Sequence, residues 1–146
     1  MYWFSHITIT TSLAYLCFQI DNPILLGVVG FGAIFPDWIE GPSKKKVIPH
    51  RTLSHSVFLW SMISLFLFIY CNKYCVIQYK IICEFTKTFL LGVWGHLIED
   101  SINITGIPIL FKKRRIAFKL FHSGHVVEYI VAWCLIIFIF LKNFYF

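Results

Sequence analysis

Five separate apolar blocks, at about residues 4–20, 24–38, 56–71, 86–103 and 124–141, constrain this chain more than any other feature. Each reads as a helix, and each is short against the roughly 20 residues that a perpendicular membrane span needs. Of the 146 residues, 58% are hydrophobic and only 14% charged. A soluble fold of this length has too little polar surface to cover so much apolar material. The mean hydropathy of +0.74 points the same way. A soluble α-protein with buried helices is the competing class. The expectation is all-α: one domain over residues 1–146, a polytopic membrane bundle of about five short spans.

The breaks between blocks are sharp. Asp21-Asn22-Pro23 separates the first two, and Pro36, Gly41, Pro42 and Pro49 interrupt the chain after the second. A stretch from Asn72 to about Phe85 links the third and fourth, and Gly106 and Pro108 end the fourth. The first block has no basic leader and carries His6, Thr8, Thr10, Thr11 and Ser12, so no cleavable signal peptide is expected. Net charge is +6, gathered in two places: Lys44, Lys45, Lys46 and Arg51, then Lys112, Lys113, Arg114, Arg115 and Lys119. Both clusters abut apolar blocks, which suits contact with anionic membrane lipids rather than nucleic acid. With five spans both clusters share a face, predicted cytoplasmic by the positive-inside rule, in a bacterial inner membrane. The five cysteines form no framework. Cys17 and Cys134 sit inside apolar runs. Cys71, Cys75 and Cys83 flank one loop, as small buried side chains or, if that loop is extracytoplasmic, as metal ligands or a pair.

Helical spacing sorts the polar residues into stripes. In the first block Ser5, Thr8, Ser12, Tyr15 and Gln19 share one face, with His6 beside its start. In lipid such a stripe turns toward partner helices. Gly27, Gly30 and Ala33 offer the second block a close approach on the side that ends at Asp37. In the fourth, Gly92, His96, Glu99, Asp100 and Asn103 share a side, and His96 and Asp100 are neighbours at i, i+4. Glu99 is turned by about 100° from Asp100 and is expected to matter less.

The ionisable residues then fall at one membrane face. His6 opens the first span and Asp37 ends the second. His50, Arg51 and His55 precede the third. His96 and Asp100 lie late in the fourth, and His122, His125 and Glu128 open the fifth. Ionisable groups within spans are costly and are functional candidates by default. Imidazole and carboxylate together suit zinc and similar divalent ions. The candidate metal ligands are His6, Asp37, His50, His55, His96 and Asp100. Zinc is the expected cofactor, with manganese or a similar divalent ion as the alternative. Arg51 can neutralise an anionic substrate group or anchor to headgroups, and Glu128 can move protons or orient a histidine. His122 and His125 stay outside this set. A buried polar network that merely fixes helix packing is the other reading.

At these residues the chain resembles the YdjM-like family of predicted membrane-bound, metal-dependent hydrolases. The resemblance rests on Ser5-His6, Phe35-Pro36-Asp37, the His50-Arg51-Thr52-Leu53-Ser54-His55-Ser56 segment and Gly95-His96-Leu97-Ile98-Glu99-Asp100. Thr105-Gly106-Ile107-Pro108, Gly124 and Glu128 complete it over nearly the whole chain. Two positions depart. Many members carry a second acid two residues after the first, where this chain has Ile39 with Glu40 next to it. Thr52 stands where a glycine is common. The His-x-x-x-Asp helix is also similar to that of the zinc-dependent phospholipase C and nuclease superfamily, which implies phosphoester chemistry.

The function these readings imply is a membrane-embedded metal-dependent hydrolase, with Glu128 and Arg51 as catalytic candidates and an anionic or lipid-linked phosphoester as substrate. The alternatives are a metal-stapled membrane scaffold, or transport of protons or divalent ions through the same residues. Clustering at one face rather than at midplane, with no inverted repeat, argues against transport.

Overall fold

Asn22 and Pro23 show how local chemistry starts a helix here. The Asn22 side chain accepts the Ile24 amide at 2.9 Å, and Pro23 occupies the first turn, where its missing N–H costs nothing. The computed structural model describes residues 3–41, 52–74, 79–110, 115–120 and 126–145. Its five α-helices are α1 (Trp3–Phe18), α2 (Pro23–Trp38), α3 (Val57–Tyr74), α4 (Lys80–Ile102) and α5 (Val126–Tyr145). A 3₁₀ turn, Leu53–His55, leads into α3. The chain is all-α, as its apolar blocks require.

Two differences from the sequence reading matter. The fourth helix begins at Lys80, ahead of the apolar block, so α4 has 23 residues and rises about 35 Å. Among the described residues, Lys80–Ile102 and Val126–Phe144 are long and apolar enough to cross a membrane, while Pro23–Trp38 and Val57–Lys73 are apolar but shorter. The helix α1 has 16 residues and carries the polar stripe. In place of the expected five short spans there are two helices of crossing length and three shorter ones. The second difference is a two-residue antiparallel ribbon within the basic connection after α4. β1 (Ile107–Pro108) pairs with β2 (Arg115–Ile116), Ile107 opposite Ile116. Gly106, at φ +58, makes the turn into it. The Phe58 amide donates to the Ile109 carbonyl, which ties the ribbon to the start of α3.

The bundle is centred on α2 against α4. The sequence suggested Gly27, Gly30 and Ala33 for the close approach. Of these, Ala33 lies at the crossing, which is made by Gly32 and Ala33 against Gly92: a Cβ on Gly32 would overlap the Phe89 carbonyl oxygen, and one on Gly92 the Val29 carbonyl oxygen and the Ala33 nitrogen. Gly27 faces open space, and Gly30 meets Ile7 and Thr11 of α1. Two backbones in contact leave no flexible side chain to give way. Gly92→Ala is therefore expected to cost about 3 kcal/mol, at the upper end for overpacking, while Gly27→Ala should be near neutral. Thermal unfolding of the purified protein in detergent checks the pair.

Beside this crossing Trp60, Val93, Leu97 and Ile107 form a buried apolar core, with Phe35 and Phe89 packed against it. The α1 stripe turns toward α5, where the Tyr15 hydroxyl donates to Asn143 Oδ1 at 2.8 Å. Outside, α3 and α5 carry exposed apolar side chains such as Phe66, Phe68, Ile137 and Phe138. That is the surface expected of helices solvated by lipid.

Candidate metal centre

One end of the bundle gathers donors from three helices and the 3₁₀ turn. His6 comes from the first turns of α1, Asp37 from the last turn of α2, His55 from the turn before α3, and His96 with Asp100 from α4. The turn is pinned from both sides. The Trp60 indole donates to the Ser54 carbonyl at 2.7 Å, and the Ser56 hydroxyl donates to the Ile109 carbonyl at 3.1 Å. The Ser56 oxygen also accepts the Leu59 amide at 3.3 Å, capping α3. The serine after His55 thus holds the turn in place.

Each imidazole is gripped at Nδ1. His6 Nδ1 lies 2.7 Å from Glu99 Oε2, His55 Nδ1 3.0 Å from Glu40 Oε1, and His96 Nδ1 2.6 Å from the Ala33 carbonyl oxygen. A carboxylate or carbonyl there accepts the Nδ1–H and leaves the Nε2 lone pair pointing away. The three Nε2 atoms are directed at the two aspartates. His55 Nε2 is 3.3 Å from Asp37 Oδ1 and 3.4 Å from Asp100 Oδ2. His96 Nε2 is 4.0 Å and 3.8 Å from the same two atoms. His6 Nε2 lies 3.7 Å from Asp100 Oδ1 and is buried, with no hydrogen-bond partner among the described residues. Asp100 Oδ1 also accepts from Asn103 Nδ2 at 3.1 Å.

This arrangement fits a divalent cation. Two groups, His6–His96–Asp100 and Asp37–His55–His96, each bring donor atoms within 4.8 Å of one another. Four donors at about 2.1 Å from one zinc ion sit about 3.4 Å apart, within the range of separations observed here. His55 Nε2 and His96 Nε2 face each other at 3.0 Å. Two lone pairs at that distance repel unless a proton or a metal ion lies between them. The electrostatics agree. Burial lowers the His55 pKa, but hydrogen bonds to Asp100, Asp37 and Glu40 outweigh it and raise the value from 6.5 to about 10. The three carboxylates around His55 favour positive charge on that ring.

A metal ligated by His55 must displace that proton. Zinc affinity should therefore weaken by about tenfold per pH unit as pH falls from 9 to 7, because the folded, metal-free His55 titrates only near 10. Chelator-competition titrations at three pH values measure this. An affinity that does not change with pH would mean that binding displaces no proton from His55.

Of the expected ligands, His6, Asp37, His55, His96 and Asp100 are brought together. His50 and Arg51 lie outside the described residues, as do His122, Gly124, His125, Cys75 and most of the basic clusters. Glu128 is buried on α5 within electrostatic reach of Glu99, and it belongs to neither donor group. Sequence spacing missed two acids. Glu99 was expected to matter less than Asp100, yet it is buried between His6 and Thr10, whose hydroxyl donates to Glu99 Oε1 at 2.6 Å. Glu40 is buried too, accepting from the Ser54 hydroxyl beside His55. Its position next to the departure at Ile39 was the available signal.

An all-α bundle with lipid-facing helices and a buried three-histidine, two-aspartate cluster at one end defines the class: a membrane protein with a candidate metal centre. The chain belongs to the YdjM inner membrane protein family, whose model matches residues 1–145. No curated protein matches it, and no solved structure does.

Proposed function

We propose that this chain is a membrane-embedded, metal-dependent hydrolase acting on phosphoester or lipid-linked substrates at the membrane face where the cluster lies. The observation that supports this most is the three anchored imidazoles whose Nε2 atoms face Asp37 and Asp100. His6, Asp37, His55, His96 and Asp100 would hold the ion, zinc first and manganese next by donor type. When bound, a divalent ion supplies Lewis acidity toward a phosphoryl oxygen and acidifies water.

The chain's own residues set the rest. Asp37 is the one donor of the five with appreciable exposure, 14% at its side chain against at most 1% for the histidines and Asp100. Substrate therefore enters on the Asp37 side. Arg51, four residues before His55 in the chain, neutralises an anionic group of the substrate. Glu128 carries the proton to or from the reacting group. Near-complete burial of the other four donors supports the second reading, a metal-stapled scaffold, since structural zinc sites are closed.

Turnover decides between them. The metal-loaded protein in detergent should hydrolyse at least one member of a broad set of phosphoester and lipid-phosphate substrates, and chelator-stripped protein should not. An experimental structure with every metal position filled by protein atoms, and neither water nor cleft beside it, would leave the scaffold. The site face is proposed to be cytoplasmic. A single cysteine at Ser43 should then label only after permeabilisation, and one at Asn143 from outside intact cells. The reverse pattern would invert the orientation.

A further inference from the structure

Beyond the five donors, two more buried carboxylates among the described residues touch the cluster through its histidines. Glu99 is 5% exposed and Glu40 is 1%. Each is clamped from two directions. Glu99 Oε2 faces His6 Nδ1 at 2.7 Å while its Oε1 accepts the Thr10 hydroxyl at 2.6 Å. Glu40 faces His55 Nδ1 at 3.0 Å while accepting the Ser54 hydroxyl, and that same hydroxyl oxygen lies 2.9 Å from His55 Nδ1. Burying a carboxylate costs free energy unless it is paired and hydrogen-bonded, and here the partners are two ligand histidines and the hydroxyls beside them. A neutral acceptor is enough to hold a ring in place, as the Ala33 carbonyl does for His96, so a carboxylate adds charge to that grip.

We infer that Glu99 and Glu40 are positioning residues for the metal centre, acting through His6 and His55. This rests on the metal reading above and names the residues that tune it. Each carboxylate does three things. It holds its ring in the Nδ1–H tautomer, it fixes the ring plane so that Nε2 meets Asp100, and it makes that Nε2 a stronger donor by drawing the Nδ1 proton toward itself. The hydroxyls of Thr10 and Ser54 stop the carboxylates from turning away. Glu99 also explains how α1 joins the site, because its partners His6 and Thr10 are successive turns of one face of that helix. The departure at Ile39 gains a meaning as well. The acid next to it supports a ligand from behind instead of adding another donor.

The test compares zinc affinity, measured by chelator competition, in the parent, Glu99→Gln, Glu99→Ala, Glu40→Gln and Thr10→Val. Loss of the carboxylate should weaken zinc binding by about 10–100-fold without changing the ions bound per chain at saturation. Thr10→Val should give a smaller loss in the same direction, and Glu99→Asp should recover part of it. Cobalt-loaded Glu99→Gln should keep the band intensity of a site with its full ligand count and shift in wavelength, whereas His6→Ala should change the intensity. A readout without metal is the side-chain ¹⁵N spectrum of His6: Nδ1–H in the parent, mixed tautomers in Glu99→Gln. Affinities of the variants within twofold of the parent, or an unchanged His6 tautomer, would overturn the inference while the metal reading stands. A parent that binds no zinc would overturn both.

Discussion

His96→Ala and Asp100→Ala should each leave the purified protein with a small fraction of its metal, where the parent holds zinc or a similar divalent ion in near-stoichiometric amount. The two side chains sit on successive turns of α4, and Asp100 faces all three imidazoles: His6 through Oδ1, His55 and His96 through Oδ2. Removing it takes one ligand and also the anion toward which the three Nε2 atoms are directed. Removing His96 takes the residue common to both donor groups. The expected loss exceeds the 10–100-fold of Glu99→Gln, because a missing donor costs more than a loosened one. Metal analysis of detergent-purified protein reads the result directly. Should both variants hold the parent's full complement, the His-x-x-x-Asp helix is no metal-binding element and the proposed centre falls.

The second large effect separates catalysis from scaffolding. Glu128→Gln and Arg51→Ala should each cut turnover by about 10²–10⁴-fold while metal content and unfolding temperature stay near those of the parent. Glu128→Gln preserves shape in a buried position of α5 and removes only the capacity to carry a proton. Arg51 precedes the turn that presents His55 and is outside the donor set, so its loss should act through the substrate. A raised KM for Arg51→Ala, against a lowered kcat for Glu128→Gln, would be the expected division. A structural site predicts the opposite. These two changes would then do little, while His96→Ala and Asp100→Ala would lower the unfolding temperature sharply. Measuring turnover, metal and unfolding on the same preparations resolves the alternatives.

Much of this was readable from spacing. A helix repeats every 3.6 residues, so the i, i+4 relation of His96 and Asp100 follows from the sequence alone. So does the expectation that His6, Asp37, His55, His96 and Asp100 lie together, once the five apolar blocks are taken to run in alternation, and the structure brings them to one end of the bundle. Pro-Asp at the end of the second block and Ser56 after His55 were visible as motifs. The role of Ser56 was not. It needs the Ile109 carbonyl, which lies more than fifty residues away along the chain.

Helix lengths were legible only in part. α4 begins at Lys80 because Ile81, Ile82, Cys83 and Phe85 carry its apolar run back past the charge of Glu84. One acidic residue inside an apolar run reads as a break in hydropathy but does not end a helix. The ribbon at Ile107 and Ile116 was invisible for a related reason. Two residues of strand have no periodicity, and they pair because β1 is held against α4 and the turn before α3.

By itself, then, the sequence determined the class of solvent, the helical architecture and the residues able to bind a cation, because composition and a local period carry that information. The tertiary structure alone decided which small residues meet, Gly32 with Gly92 in place of Gly27 and Gly30. It alone decided that Glu99 turns to His6, which precedes it by 93 residues, and Glu40 to His55. The helical period says which side chains share a face. Which face meets which neighbour, and how far apart two side-chain atoms then stand, depends on how the helices pack.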